Sequence, residues 1–282
     1  MKPLSLVAAA ILFLSLAAPA VAQEREAVAA LRFRTTVVEG MTTVRELQKA
    51  HGREGFEAIL HLNRIDLEHL RQGATLIVPE SPVTLSAISP FPTKLWDDPS
   101  MPDRMLIVSR RVQAFAAYEA GTLVRWGAVS TGRRETPTPE GLFATNWRSK
   151  LRKSSDNPAW LLPWYFNFIN SSGVSFHQFD LPGYPASHAC VRLLEGDAMW
   201  IYEWAESWVL ADQGRRVEVY GTPVLVFSDY DFGKPGPWTR LPDDPNATTI
   251  SLDEIERALA PHRETIKERA SARRAHPAGS DR

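Results

Sequence analysis

The N-terminal part of the chain alternates short apolar runs with turn residues. Residues 35–38 have the pattern of a strand, and apolar residues then recur at helical spacing up to Gly52. A second helical pattern follows, and residues 70–79 contain a glycine turn that leads into a strand closed by a proline. The pattern predicts a small α+β module with the order βααβ over residues 34–80.

Residues 81–102 are rich in proline and lack periodicity, which predicts an extended linker. Short apolar strands separated by turns follow, so the pattern predicts a mostly β domain over residues 103–228. Within it, a tryptophan at every fourth position predicts a helix from about Glu195 to Ala211. The linker would keep the module close to this domain.

The C-terminal region, residues 229–282, is predicted to consist of a loop, a helix and a disordered tail. Its first part is rich in Gly, Pro and Asp. Ser251 and Glu254 have the spacing of a capping box that opens a helix, which Pro261 would interrupt. The polar composition of the last dozen residues predicts disorder.

The first 22 residues have the pattern of a cleaved signal peptide. Lys2 precedes an apolar run, and Ala20-Val21-Ala22 gives a small-x-small site before Gln23. The protein is therefore predicted to be exported, to the periplasm or cell wall. The apolar run is short for a spanning helix, so no stable membrane span is expected after cleavage, and a retained signal anchor is the alternative.

Composition limits the possible partners. The chain has 282 residues, of which 44% are hydrophobic and 23% charged, so it can bury a substantial core. Its formal net charge of -1 gives no electrostatic basis for binding nucleic acid. The single cysteine excludes an internal disulfide, so the thiol is either sheltered or kept for chemistry.

That cysteine, Cys190, lies in a loop rich in reactive side chains. His188, Arg192 and, thirteen residues upstream, His177 accompany it. A thiol becomes a good nucleophile beside a His or Arg, and a His can also remove its proton. The alternatives are a small buried hydrophobic residue, a metal site made by His177, His188 and Cys190, or a disulfide to another chain.

The N-terminal module resembles the LysM family of glycan-binding modules. The resemblance rests on the Val37-Val38-Glu39-Gly40 opening, the central Asn63 and the Gly73-x-x-Leu76-x-Val78-Pro79 ending, whereas Met41-Thr42-Thr43 departs from the family pattern. It implies binding to N-acetylglucosamine-containing chains such as peptidoglycan, through the loop after the first strand and the loop before the last. The alternative is a packing domain that has lost its ligand.

The larger domain resembles the L,D-transpeptidase catalytic domain of bacterial cell-wall enzymes. An upstream histidine at His177 and several motifs carry the resemblance from residue 105 to about 227: Ser130-Thr131-Gly132, Thr138-Pro139-Glu140-Gly141-Leu142-Phe143, Ser187-His188-Ala189-Cys190-Val191-Arg192-Leu193, Asp197 and Gly221-Thr222-Pro223-Val224. The resemblance implies a mostly β catalytic domain of the L,D-transpeptidase-like β-sandwich type, preceded here by the LysM-like module.

The resemblance also implies a mechanism. Cys190, deprotonated by His177, would form a thioester with a peptidoglycan stem peptide and release D-alanine, and an amine from a second stem would complete a 3→3 crosslink. Five residues are expected to support the site or bind substrate: Ser187, His188, Ala189, Arg192 and Gln178. No cofactor or metal is expected, and the partners would be stem peptides and glycan chains.

Three positions leave alternatives open. Arg192 would bind a substrate carboxylate or form an ion pair with Glu195 or Asp197. Ala189 replaces the glycine of the signature, which has a cost if the backbone there needs a positive φ. His177 would be oriented by the Gln178 side chain or by the backbone.

Two other functions stay open beside transpeptidation. One is an L,D-carboxypeptidase, or a hydrolase that releases protein from peptidoglycan, in which water resolves the thioester. The other is a catalytically inactive peptidoglycan-binding protein.

Overall fold

A computed structural model describes residues 31–276. The predicted signal peptide, residues 1–22, and the end of the predicted tail lie outside the described residues. The strands are β1 Phe33–Val37, β2 Thr75–Pro79, β3 Arg104–Ser109, β4 Ala114–Glu119, β5 Thr122–Ser130, β6 Gly141–Ala144, β7 Arg148–Lys153, β8 Leu161–Ile169, β9 Val174–Gln178, β10 Val191–Leu193, β11 Val209–Ala211, β12 Arg216–Val219 and β13 Pro223–Phe227. The helices are α1 Met41–Asn63, α2 Glu195–Trp204, α3 Leu252–Leu259 and α4 Arg263–Ala275.

The N-terminal module has the predicted order of strand, helix, helix and strand. Strands β1 and β2 pair antiparallel, and α1 is broken at Gly52, whose φ of 70° and ψ of -178° are not helical. Asn63 joins the end of α1 to β2, because its amide nitrogen donates to Ile77 O and its amide oxygen accepts from Ile77 N, both at 2.8 Å. The helices therefore pack on a two-stranded sheet.

One nine-stranded sheet forms the larger domain, in the order β6-β13-β3-β4-β5-β10-β9-β8-β7. The predicted mostly β domain is therefore confirmed, and its main sheet is a single curled one. Strand β10 is the reason, because it pairs with β5 on one side and with β9 on the other and so joins the two halves. The curling brings β6 close to β8, because the ring centroids of Phe143 on β6 and Phe168 on β8 lie 6.0 Å apart.

Both faces of this sheet are buried along its central strands, as the alternation of residues along β3 shows. Met105 and Ile107 belong to one core cluster, while Leu106 and Val108 belong to the other. The second cluster fills the inside of the curled sheet together with α2. The first covers the outer face and includes residues from the N-terminal module, the predicted linker and the C-terminal region.

The linker prediction for residues 81–102 needs correction. Ile88, Phe91, Leu95, Trp96 and Met101 are buried in the outer-face core. Backbone hydrogen bonds also join this segment to the hairpin between β4 and β5, as in Leu95 N to Gly121 O at 2.8 Å. The segment is extended, as its prolines indicate, but it packs against the sheet instead of forming a flexible tether.

Two helical predictions differ from the structure in their limits. The predicted helix from Glu195 to Ala211 ends at Trp204, because the following backbone bonds to the sheet through Trp208 N and Asn146 O at 3.0 Å. The C-terminal helix breaks at Pro261 as predicted, but α4 continues to Ala275, into the segment expected to be disordered. Among residues 31–276, no helix has the length and hydrophobicity needed to cross a membrane.

Candidate active site

The site residues meet because β9 and β10 are adjacent parallel strands. His177 on β9 pairs in register with Arg192 on β10, and Cys190 immediately precedes β10. The loop between the two strands closes over one end of the pair. A single cleft is lined by Ser154, Asp156, Trp160, Leu162, His177, Phe179, Ser187, His188, Cys190 and Arg192. Five of the seven residues singled out from the sequence thus share this cleft, and Ala189 and Gln178 are not among its lining residues.

His177 is buried and held by the backbone. Its Nδ1 lies 2.9 Å from Gln178 O. A carbonyl oxygen can only accept a hydrogen bond, so Nδ1 carries the proton and Nε2 keeps a free lone pair. The backbone of Gln178, rather than its side chain, therefore orients the imidazole. Burial lowers the pKa of His177 to about 4, so the ring is a neutral base at physiological pH.

Cys190 contacts Ser175, a residue that the sequence analysis missed. The thiol lies 3.4 Å from Ser175 Oγ. Burial raises the pKa of the Cys190 thiol, while hydrogen bonds from the Ser175 hydroxyl and backbone act against this increase. Ser175 and His177 are two residues apart on one strand, so alternation places both on the same face. The spacing of two residues from His177 could therefore have indicated Ser175 from the sequence.

The resting pair is therefore a thiol and a neutral imidazole. We expect the rate of Cys190 alkylation by iodoacetamide to keep rising with pH beyond about 8.5, the ordinary thiol pKa. The reason is that the thiolate is the reacting form and its pKa lies above the ordinary value in the folded protein.

Mass spectrometry reports this rate for one site, because the chain has a single cysteine. The same protein unfolded in urea is the control, and its rate should level off at lower pH. A rate for the folded protein that is already constant below about pH 7 would contradict a neutral resting pair.

The loop before Cys190 adopts an unusual backbone conformation. Ala189 has a φ of 76°, the left-handed region that glycine favours. Thr138 Oγ1 donates to Ala189 O at 2.8 Å and accepts from Gly132 N at 2.9 Å. A side chain at Gly132 would collide with the backbone of Thr136 and Thr138. The early motifs, Ser130-Thr131-Gly132 and Thr138, thus hold the cysteine loop in place.

Replacing Ala189 with glycine should stabilise the protein. We expect Ala189→Gly to raise the free energy of unfolding by about 1 kcal/mol, because the left-handed conformation costs a non-glycine residue about 1–2 kcal/mol. Urea unfolding measures the change. Ala186→Gly is the matched control, since Ala186 in the same loop has no positive φ and should lose stability. Equal losses in both variants would contradict the strain at Ala189.

Ser187 has the loop-supporting position expected of it. Its hydroxyl donates to Cys190 O, and its backbone nitrogen donates to Thr131 O at 3.1 Å. It is almost fully buried, with 1% of its surface exposed. Ser187 therefore fixes the turn in which Cys190 lies.

Arg192 lies in the cleft and is not part of the ion pair considered from the sequence. Its guanidinium carbon lies 4.6 Å from the centre of the Phe179 ring. Asp197 instead pairs with Arg125, with Nε and Oδ1 2.8 Å apart. Across residues 31–276 no carboxylate forms a salt bridge with Arg192. The ion-pair alternative is therefore wrong, and the guanidinium is available to an anionic ligand.

His188 forms a pair that sequence reasoning missed. Its Nδ1 lies 3.1 Å from Asp156 Oδ2, and its ring packs edge-on against Trp160 with centroids 5.5 Å apart. Asp156 is thirty-two residues away in the sequence, so no local spacing indicates this contact.

The described part of the chain contains no group of three or more His, Cys, Asp and Glu side chains arranged to hold a metal ion.

Comparison with known protein families finds a match for the larger domain. Residues 103–226 match the YkuD family, described as the L,D-transpeptidase catalytic domain. This match confirms, for that segment, the family resemblance drawn from the motifs. It does not include residues 34–80, where the LysM resemblance stays a prediction. No curated protein gives a significant match to the chain.

Solved structures of L,D-transpeptidases are also similar to this chain. One from Stackebrandtia nassauensis has 16% identity and a TM-score of 0.39, covering 66% of this chain and 77% of that one. Another from Xylanimonas cellulosilytica has 23% identity and a TM-score of 0.36, with coverage of 46% and 63%. L,D-transpeptidase 1 from Mycobacterium tuberculosis has 20% identity and a TM-score of 0.33, with coverage of 45% and 62%. The chain spans less than two thirds of the second and third structures.

Proposed function

We propose, on the premise that residues 103–226 match the L,D-transpeptidase catalytic domain, that this chain is a cysteine-dependent acyltransferase that forms 3→3 crosslinks in peptidoglycan. One observation carries the proposal. The thiol of Cys190, immediately before β10, and the neutral imidazole of His177, on the neighbouring β9, line the same cleft within the matched segment. A nucleophile and its base in one cleft are the minimum requirement for acyl transfer.

In the first step, His177 Nε2 takes the thiol proton while the sulfur attacks the acyl carbon of the third stem residue. A C–S bond forms, and the C–N bond to the terminal D-alanine breaks after His177 returns the proton to the departing amine. The backbone amides around Ala189 and Cys190 would stabilise the oxyanion. The left-handed backbone of Ala189 is consistent with amides turned toward such an oxygen.

In the second step, an amine from a neighbouring stem attacks the thioester. Its nitrogen forms the new amide bond, the thiolate leaves, and a proton returns to the sulfur through His177. Water in place of the amine would give a tripeptide, the product of the carboxypeptidase alternative. The two outcomes differ only in the nucleophile that enters the cleft.

Arg192 is proposed to bind a carboxylate of the substrate. Its guanidinium lies on the Phe179 ring in the cleft that also contains Cys190. The D-alanine that leaves the donor carries a carboxylate, and a guanidinium can bind it through two parallel hydrogen bonds. The pair of His188 and Asp156 lines the same cleft and joins the cysteine loop to the segment between β7 and β8.

The N-terminal module is proposed to bind glycan, following its LysM resemblance. Met41, at the start of α1, and Leu67, in the loop before β2, are exposed by 64% and 60% of their surfaces. Exposed apolar side chains in these loops are suitable for packing against sugar rings. Since peptidoglycan lies outside the cytoplasm, the proposal requires export to the periplasm or cell wall. Retention of the Met41→Ser and Leu67→Ser double variant on purified peptidoglycan at the native level would argue against it.

Product analysis tests the catalytic proposal. The mature protein is mixed with purified disaccharide-tetrapeptide, and both the protein and the products are examined by mass spectrometry. A dimer lacking one D-alanine supports transpeptidation. Tripeptide without dimer would assign hydrolysis instead, and unchanged substrate with an unmodified thiol would favour the binding-protein alternative.

A further inference from the structure

The N-terminal module contacts the loop that carries the candidate site. Residues 64–66 of the module lie along residues 181–183, within the loop that joins His177 to Cys190. The two segments form a short antiparallel bridge centred on Ile65 and Pro182. The module therefore adds a strand-like partner to the first part of this loop, whereas Ser187, nearer Cys190, forms a bridge with Gly132.

Asp66 makes the most direct of these contacts. Its backbone nitrogen donates to Leu181 O at 3.1 Å, and its Oδ2 accepts from Leu181 N at 2.8 Å. Its other oxygen, Oδ1, lies 2.6 Å from His69 Nδ1 and 3.0 Å from His69 N, which fixes the carboxylate on the module side. One carboxylate thus spans the two domains.

The opposite side of the same loop is held by the sheet. Ser130 Oγ, at the end of β5, donates to Tyr184 O at 2.7 Å and accepts from Ala186 N at 3.1 Å. Leu181, whose backbone bonds to Asp66, is completely buried. The loop is therefore held by the module at Leu181, and by the sheet and its adjoining loop from Tyr184 to Ala189.

We propose that Asp66 is a positioning residue for the cysteine loop, so that the N-terminal module is a structural part of the catalytic unit as well as a glycan anchor. The inference rests on the proposed acyl transfer for its expected effect on kcat, but not for its expected effect on hydrogen exchange in the loop. A long loop between the base and the nucleophile must be ordered before the two can act together, and small displacements of reacting groups cost large factors in rate.

The experiment compares Asp66→Ala and Asp66→Asn with Glu46→Ala in the full chain. Glu46 is an exposed carboxylate on α1 of the same module, away from the loop. Each variant is examined by hydrogen exchange of the peptide spanning residues 179–190, by thermal unfolding, and by steady-state kinetics with disaccharide-tetrapeptide.

For Asp66→Ala we expect faster exchange in residues 179–190 and a kcat about tenfold lower, with KM within about threefold of the native value. Asp66→Asn keeps an oxygen for Leu181 N and should recover kcat to within about threefold. If Asp66→Ala fails to fold, Asp66→Asn still allows all three measurements to be made at this position. Glu46→Ala should match the native protein in all three measurements.

Unchanged exchange in residues 179–190 of a folded Asp66→Ala protein would overturn the inference, as would an equal change in Glu46→Ala or a loss of kcat in Asp66→Asn as large as the one expected for Asp66→Ala. A rise in KM with kcat unchanged would also overturn it, because the module would then act only in substrate binding. If the native protein turns over no donor, the proposed acyl transfer fails, whereas the exchange comparison still decides whether Asp66 positions the loop.

Discussion

Cys190→Ala should abolish acyl transfer, with turnover at least about a thousandfold below the native protein. The reason is that Cys190 is the single cysteine of the chain and the one nucleophilic thiol that His177 could activate in the cleft. The measurement is the formation of crosslinked dimer and of the acyl-protein, both by mass spectrometry. Unfolding temperature and circular dichroism should stay near the native values, because the change removes one small side chain.

Cys190→Ser is the matched variant for this prediction. It keeps the volume of the side chain and can still bond to Ser175, yet it should be nearly as inactive as Cys190→Ala. A neutral His177 with a pKa of about 4 is too weak a base to activate a hydroxyl. Acyl-protein found on Cys190→Ala, or turnover within about tenfold of native, would remove Cys190 from the mechanism.

The second large effect is on stability and concerns Arg64 in the contact between the domains. Arg64 is 1% exposed, and its Nε donates to Val112 O at 2.9 Å while Nη1 donates to His61 O and Leu62 O. Its guanidinium also stacks on the rings of two tryptophans, Trp126 and Trp238. Burial lowers the pKa of Arg64 to about 9, so the group stays charged at neutral pH.

Arg64→Met should therefore lower the free energy of unfolding by about 3–5 kcal/mol, since methionine fills much of the space but leaves Val112 O and Leu62 O without the guanidinium donor. His61 O keeps only the backbone N–H of residue 64, at 3.2 Å. Urea unfolding measures this loss. Arg53→Met on the exposed side of the same helix is the control and should change stability by less than about 0.5 kcal/mol. Similar losses of unfolding free energy in the two variants would show that the effect does not come from the interdomain position of Arg64.

The contact between the module and the sheet also determines what a truncation of the chain would do. Deleting the residues before Ser81 would be expected to weaken wall binding more than chemistry if the module were tethered by a flexible linker. In the structure, Phe33, Leu62 and Ile77 of the module share a core with the outer face of the sheet. The deletion would expose that core, so the catalytic domain should lose stability as well.

The sequence predicted the module's element order, the strand-rich domain and the meeting of His177 with Cys190. The first two follow from the spacing of apolar residues, which depends on local geometry. The third came from the order of motifs, and the parallel pairing of β9 with β10 explains it physically. Each of these signals lies within a short segment.

The docking of the module could not be predicted in the same way. It depends on His61, Arg64 and Asp66, polar residues that a pattern assigns to the surface unless their partners are known. Those partners lie far along the chain, as in Ala128 N, which donates to His61 Nδ1 at 3.0 Å. The prolines of residues 81–102 indicated an extended backbone correctly, but composition alone does not tell whether an extended segment packs.

The place of β13 in the sheet has a consequence for how the protein reaches its native state. This strand is the last of the sheet in chain order, yet it lies beside β3, the first, and more than a hundred residues must be closed into a loop to pair them. Contacts so distant in sequence slow folding, because the entropy of loop closure is lost before the contacts form. Folding should thus be slow and completed late during synthesis, and a chain that stops before residue 223 should leave the central strands with an open, aggregation-prone edge.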